Sequence, residues 1–179
     1  MFNKIGFRLI FVVAFTTLII IGVFAYFNVK SQSSSLISEV ERHANQLGET
    51  VVSSTRFDMM LNQRDRIQQT INSIGTQPQI RDVRIINKFG EIIYSSDSTN
   101  INKMVDKREE SCYACHAEDK PLEQISITER TRIFRVHPDS NRVIGIITPI
   151  YNEKSCWNSD CHAHPKDQKV LGVLDVSIS

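Results

Sequence analysis

The stretch Ile80–Tyr94, with the sequence IRDVRIINKFGEIIY, is where the apolar pattern changes from a helical period to a period of two. Apolar residues recur at every second position on both sides of the run 87–90 (Asn-Lys-Phe-Gly), at Val83, Ile85, Ile92 and Tyr94. A short run with Asn and Gly between two such segments is typical of a hairpin turn. The stretch therefore predicts the first two strands of a sheet.

Three further strands are predicted downstream, at Thr131–Val136, Val143–Tyr151 and Val170–Ile178. The run 137–141, His-Pro-Asp-Ser-Asn, reads as a turn between the first two of them. Together with the hairpin they predict an α+β domain built on an antiparallel sheet of about five strands.

A long helix is predicted upstream of the sheet, over residues 28–76. From Ser35 to about Thr76 there is no proline, and apolar residues recur along one helical stripe that includes Leu36, Val40, Leu47 and Val51. A helix cannot bury such a stripe by itself, and a second copy of the chain is the simplest partner. We expect the membrane-proximal half to form a homodimer, with His43 at or near the paired face, and the distal half to pack on the sheet. The alternative is that the whole stripe packs on its own domain.

The N-terminus contains a predicted transmembrane helix at 9–27. Leu9 to Phe27 carries no charge and is almost wholly apolar, which is enough to cross a bilayer. Lys4 and Arg8 precede it, so the positive-inside tendency places residues 1–8 in the cytoplasm and the remainder outside. A cleavable signal peptide is the alternative, but 24–28 offers no small-residue cleavage site, which favours an uncleaved anchor.

Cys112-Tyr113-Ala114-Cys115-His116 is a C-x-x-C-H run, the attachment signature of a c-type haem. The two thiols bond covalently to the haem, and the histidine that follows is placed to ligate the iron. A looser copy occurs at Cys156 and Cys161-His162, with four residues between the thiols. The chain has four cysteines, and all of them lie in these two runs. We therefore predict two covalent haem c groups, with Cys112, Cys115, Cys156 and Cys161 as attachment sites and His116 and His162 as iron ligands.

Two other readings of the cysteines stay open. Paired cysteines at short spacing also form zinc sites, and an extracytoplasmic location permits disulfides. The four-residue spacing of the second run suits a small disulfide loop as well as a haem.

The residue that binds the second axial position of the iron decides between electron exchange and gas binding. His164 and Met104 are the candidates nearest the two motifs. His164 follows His162 by two residues and would serve the other haem or none. His43 and His137 are more typical of a packed and a surface histidine, respectively.

The chain as a whole resembles the extracytoplasmic PAS-like or Cache-like sensor region of bacterial membrane histidine kinases and chemoreceptors that carry c-type haem. The residues that carry the resemblance are the anchor, 39–44, 84–90, 112–117, 149–153, 161–165 and 170–176. The resemblance implies a sensor domain at 77–179, with haem-bearing inserts at 100–130 and 152–169, on the outer side of the bacterial inner membrane. It implies a redox or small-gas input domain for signal transduction.

Such receptors continue into a second membrane helix and a signalling module. These 179 residues contain no catalytic histidine box and no nucleotide-binding motif, so we expect no enzyme activity from them. The net charge of +1 argues against a nucleic-acid surface. Two alternatives from other classes are a membrane-tethered cytochrome that exchanges electrons with a donor and an acceptor, and a zinc- or disulfide-stabilised ligand-binding domain.

Overall fold

The computed structural model describes residues 4–106, 116, 126–136, 141–158 and 164–179. The chain forms two compact units, residues 1–40 and residues 41–179, and helix α1 (Lys4–Met60) contributes to both. The turn cluster predicted at 137–141 lies almost wholly outside the described residues.

The N-terminal unit consists of the first part of α1, which presents apolar side chains all round. Its apolar residues from Phe7 to Val29 are exposed, and among the described residues this is the single helix long and apolar enough to cross a membrane. The hydroxyl groups of Thr16 and Thr17 donate to the carbonyls of Val12 and Val13, at 3.0 and 2.8 Å. Polar side chains satisfied within their own helix are what an apolar environment requires.

The single helix predicted over 28–76 is in fact interrupted, and this is a correction. Helix α1 ends at Met60, and a second helix, α2 (Arg64–Gly75), follows after a tight turn. Asn62 has a φ of 53°, in the left-handed region, and the Gln63 amide donates to the Asp58 carbonyl at 2.8 Å. Asparagine enters this region at lower cost than most residues. The turn redirects the chain so that α2 packs on the sheet.

The sheet has five antiparallel strands, β1 (Ile80–Asn87), β2 (Ile92–Ser95), β3 (Thr131–Val136), β4 (Asn141–Tyr151) and β5 (Val170–Ile178). Their spatial order is β2-β1-β5-β4-β3, so the last strand lies at the centre. The predicted α+β class with an antiparallel sheet of about five strands is confirmed, as are all five strands and the β1–β2 hairpin.

The main core lies between the helices and one face of the sheet. Buried residues of α1 and α2 pack on buried residues of β1 and β5; they are Val51, Val52, Ile67, Ile71, Val83, Ile85, Leu174 and Val176. Fully burying a side chain of this kind stabilises the fold by about 1.5–3 kcal/mol. This core fixes the distal half of α1 against the sheet, as predicted.

The predicted dimer stripe is divided by this packing. Leu36 and Val40 are exposed, but Val51 is 2% exposed and Leu47 packs against the same intrachain core. The prediction that Leu47 and Val51 belong to a paired face is therefore wrong, because the domain's own sheet covers them. His43 is exposed.

The opposite face of the sheet carries a buried carboxylate. Asp175 of β5 is 1% exposed and accepts hydrogen bonds from Arg84 of β1 and from Arg132 of β3, the latter at 2.7 Å. A charge buried this deeply requires paired partners. The two arginines therefore tie strands on both sides of β5 to the central strand.

Candidate functional site

A cavity of about 730 Å³ lies between helices α1 and α2 and the sheet. Its apolar walls are formed by Val52, Met59, Met60, Ile67, Ile85, Ile150 and Leu171. Pockets that bind small molecules and cofactors are typically about 300–1,000 Å³ and mostly apolar, with a few placed polar groups. The size and lining of this cavity match that description.

The polar lining brings together side chains from distant parts of the sequence. It comprises Arg56, Asn62, Arg64, Asn87, Glu91, Tyr94, Asn102, Tyr151, Cys156 and His164. Within this set, the thiol of Cys156 and the imidazole of His164 belong to the second Cys–His segment. The cavity therefore combines apolar walls, two guanidinium groups and two groups able to bond a haem or a metal.

Cys156 is positioned by a short helix, α4 (Lys154–Trp157), that follows β4. Its amide donates to the Glu153 carbonyl at 2.8 Å, and the His164 amide donates to the Cys156 carbonyl at 3.1 Å. The backbone thus holds Cys156 and His164 next to each other. Among the described residues Cys156 is the single cysteine, and its thiol is free.

The base of this segment is closed by Asn152. Its side-chain amide donates to the carbonyls of Pro165 and Gln168, at 2.9 and 2.7 Å, and its backbone amide donates to the Lys169 carbonyl at 2.9 Å. Hydrogen bonds between the two ends of a loop fix its position relative to the sheet that carries it. The Cys156–His164 segment therefore has a defined place at the cavity.

Two ion pairs connect α1 to residues that flank the cysteine runs in the sequence, one after the first run and one before the second. Arg56 pairs with Glu153, the residue that precedes α4. Arg130 ends a second short helix, α3 (Ile127–Arg130), and pairs with Glu49 at 3.5 Å. Arg130 also donates to the Tyr151 hydroxyl at 3.3 Å.

Tyr94 supplies a phenol to the cavity wall. Burial raises the pKa of this phenol above its ordinary value of 10.0, Arg64 lowers it, and Asp65 raises it, with burial the largest of the three effects. The phenol therefore stays protonated at neutral pH and is able to donate a hydrogen bond to a molecule in the cavity.

The structure describes only some of the residues that were predicted as haem attachment sites or iron ligands. Cys156 and His164 line the cavity. His116 is half-buried and does not line it. The remaining predicted residues lie outside the described part of the chain; they are Cys112, Cys115, Cys161 and His162. Within the described part, no three His, Cys, Asp or Glu side chains cluster as a metal site would require.

The methionines near the cavity are not the one that the sequence predicts as an iron ligand. Met104 is 65% exposed and does not line the cavity, although its backbone bridges to Glu91. Met59 and Met60, which are not among the predicted iron ligands, do line it. Their position just before the Asn62 turn is visible in the sequence, but that they line the same cavity as Cys156 is a property of the tertiary fold.

No protein-family model matches the chain, and comparison with curated proteins finds no match. Among solved structures, it is similar to the sensor domain of the histidine kinase DctB of V. cholerae, with 16% identity and a TM-score of 0.42 over 74% of this chain and 44% of that one. It is also similar to an extracellular ligand-binding receptor of Desulfohalobium retbaense DSM5692, with 9% identity and a TM-score of 0.36 over 74% and 25% of the respective chains. The chain thus spans less than half the length of either structure.

Proposed function

We propose that this chain is a membrane-anchored sensor input domain whose cavity holds a c-type haem attached through the second Cys–His segment. The observation that carries the proposal is that Cys156 and His164 line one cavity of about 730 Å³ with apolar walls. The thiol of Cys156 is the group that forms one thioether to the porphyrin, with Cys161 as its expected partner and His162 as the expected iron ligand.

The donor set of the cavity fits this cofactor. Three side chains in the described lining are of types that ligate haem iron: the thioethers of Met59 and Met60 and the imidazole of His164. The guanidinium groups of Arg56 and Arg64 are able to pair with the haem carboxylates. When bound, the haem supplies an iron that exchanges one electron or takes a small gas.

The residues of the chain contribute the environment for that chemistry. Apolar side chains of α1, α2 and the sheet form much of the lining, and polar contacts next to such walls are stronger than in open water. The protonated phenol of Tyr94 is a hydrogen-bond donor for a polar ligand in the cavity. A lining that combines apolar walls with placed polar groups suits a site that must distinguish states of one bound cofactor.

The rest of the proposal concerns location and partners. The apolar first part of α1 anchors the chain in the bacterial inner membrane with the cavity on the outer side, since Lys4 and Arg8 precede the span. Leu36 and Val40, which are exposed on α1, are the residues through which two copies pair. Cys112, Cys115 and His116 hold a second haem.

The experiment is the intact mass of the full chain, purified from a host with haem-attachment machinery and then denatured. We expect a mass increase of two haems. Cys156→Ser should reduce attachment at the second site alone, and Met104→Leu, outside the cavity, should retain both haems. A mass without haem, or zinc in place of iron, would overturn the proposal.

A spectrum of the same samples tests the cavity directly. Replacing Met59 or Met60 by Leu should change the haem absorption spectrum or its response to added CO, because both side chains line the cavity. Phe89→Leu, at an exposed side chain outside the cavity, is the control and should leave the spectrum unchanged. If the spectrum and the CO response are identical in all three variants, the haem lies elsewhere.

A further inference from the structure

Two ion pairs join one face of helix α1 to the two segments that carry the cysteine runs. Glu49 pairs with Arg130 at 3.5 Å, and Arg56 pairs with Glu153. The two α1 residues are seven positions apart, which is about two turns and about 10 Å along the axis, so they lie on the same side of the helix.

The partners Arg130 and Glu153 each lie at the boundary between a cysteine-bearing segment and a neighbouring strand of the sheet. Arg130 is the last residue of α3, which follows the first Cys–His run in the sequence and leads directly into β3. A reciprocal capping box between Ser126 and Glu129 fixes the start of α3. Glu153 immediately precedes α4 and accepts the Cys156 amide on its carbonyl.

Both ion pairs are linked to the lining of the cavity. Arg56 lines it, and so does Tyr151, whose hydroxyl accepts a hydrogen bond from Arg130 at 3.3 Å. Tyr151 is also the end of β4, two residues before Glu153. A change in the occupant of the cavity therefore acts on Arg56, which belongs to one ion pair, and on Tyr151, which contacts Arg130 of the other.

The signs of the charges specify which segment meets which turn of the helix. Glu49 is negative and meets a cation, whereas Arg56 is positive and meets an anion. If the helix moved by two turns relative to the segments, like charges would face each other, and this arrangement is disfavoured.

We propose that these two ion pairs form a coupling device through which the state of the cavity is passed to helix α1. This inference rests on the proposed function, since it takes the haem as the occupant whose state changes. Both pairs are partly solvent-exposed, with the Glu49 side chain 64% exposed, and exposed pairs contribute little to stability. They are consequently made and broken at low cost, as a switch requires.

The test is hydrogen–deuterium exchange of the full haem-loaded chain in detergent, with the iron oxidised or reduced by dithionite, which supplies the electron. The wild-type chain should show a redox-linked difference in amide exchange over residues 45–60 of α1. Glu49→Gln and Glu153→Gln should each lose part of that difference, and the double variant should lose it. The exchanged pair Glu49→Arg with Arg130→Glu should regain what Glu49→Gln loses.

The matched control is Arg66→Gln. Arg66 pairs with Asp58 of α1 at 3.5 Å, like the Glu49 pair in distance, but it lies on α2, and its pair includes neither Arg130 nor Glu153. This variant should keep the full difference. A redox-linked difference that persists in every variant would overturn the coupling device and leave the haem assignment standing. Absence of covalent haem in the mass spectrum of the same samples would instead overturn the proposed function.

Discussion

Gly48 of α1 lies so close to Thr148 of β4 that a Cβ atom at position 48 would overlap the threonine hydroxyl. Thr148 is 1% exposed, and its hydroxyl has no hydrogen-bond partner among the residues that the structure describes. A glycine in the middle of a helix costs about 0.5–1 kcal/mol relative to alanine. Its presence here is explained by the close approach of the helix backbone to the sheet.

Gly48→Ala should therefore lower the free energy of unfolding, although alanine is the better helix former. We expect a net loss of about 1–2 kcal/mol, since overpacking a buried contact outweighs the gain in helix propensity. Chemical denaturation in detergent measures it. Adding Thr148→Ala should restore stability towards that of Thr148→Ala alone, and a stabilised Gly48→Ala would show that the two elements are not in close contact.

Gly145→Ala should disconnect Arg132 from Asp175. Arg132 is paired with Gly145 across the β3–β4 ladder, and its guanidinium carbon would be 2.6 Å from a Cβ atom there. Losing a charged hydrogen bond to a buried carboxylate should cost about 1.5–3 kcal/mol. A double-mutant cycle on unfolding free energies is the measurement: in an Arg132→Ala background the effect of Gly145→Ala should largely disappear. Equal effects in both backgrounds would contradict the contact.

The capping box of α3 predicts a pH dependence. Hydrogen bonds from the Ser126 side chain and backbone hold the pKa of Glu129 below its ordinary value of 4.5. A lowered folded-state pKa means that the stabilisation is complete above the ordinary value and is lost as the pH falls through the folded-state pKa.

Ser126→Ala should raise the Glu129 pKa towards 4.5 in an NMR carboxyl titration. Asp97 is the control in the same spectrum. Its pKa is lowered by hydrogen bonds from the Thr99 side chain and backbone, and it should not change. If the Glu129 pKa did not move, the capping box would not be formed in solution.

The exposed part of the α1 stripe predicts where two copies meet. A photo-crosslinking amino acid at Val40, which is exposed, should give a crosslinked dimer in membranes. Thr50 is also exposed on the same helix, but it lies in the part that packs on the sheet, and the same substitution there should crosslink poorly. Equal yields at the two positions would place the dimer contact elsewhere or indicate non-specific encounters.

The sequence was sufficient for the elements whose patterns are local. The β1–β2 hairpin, β3 and β5 follow from alternation and turn residues, and the structure gives β3 and β5 the predicted limits. The break after Met60 was not predicted, because a single asparagine in the left-handed region leaves no periodic signal.

The cavity could also not be predicted from the sequence. Met60 and Cys156 are almost a hundred residues apart, and both line it only because the fold brings the end of α1 close to the segment that follows β4. Similarly, the division of the helical stripe at Leu47 depends on which residues the sheet covers. Both features follow from tertiary packing, which periodicity alone does not encode.

The central position of β5 has a consequence for the order of events during synthesis. Strands β1 and β4 both pair with β5 and not with each other, so no ladder connects the β1–β2 and β3–β4 hairpins before residues 170–178 are made. Both cysteine runs precede β5 in the chain and emerge earlier. The two cysteine runs are therefore made before β5 can join the two halves of the sheet, β2-β1 and β4-β3.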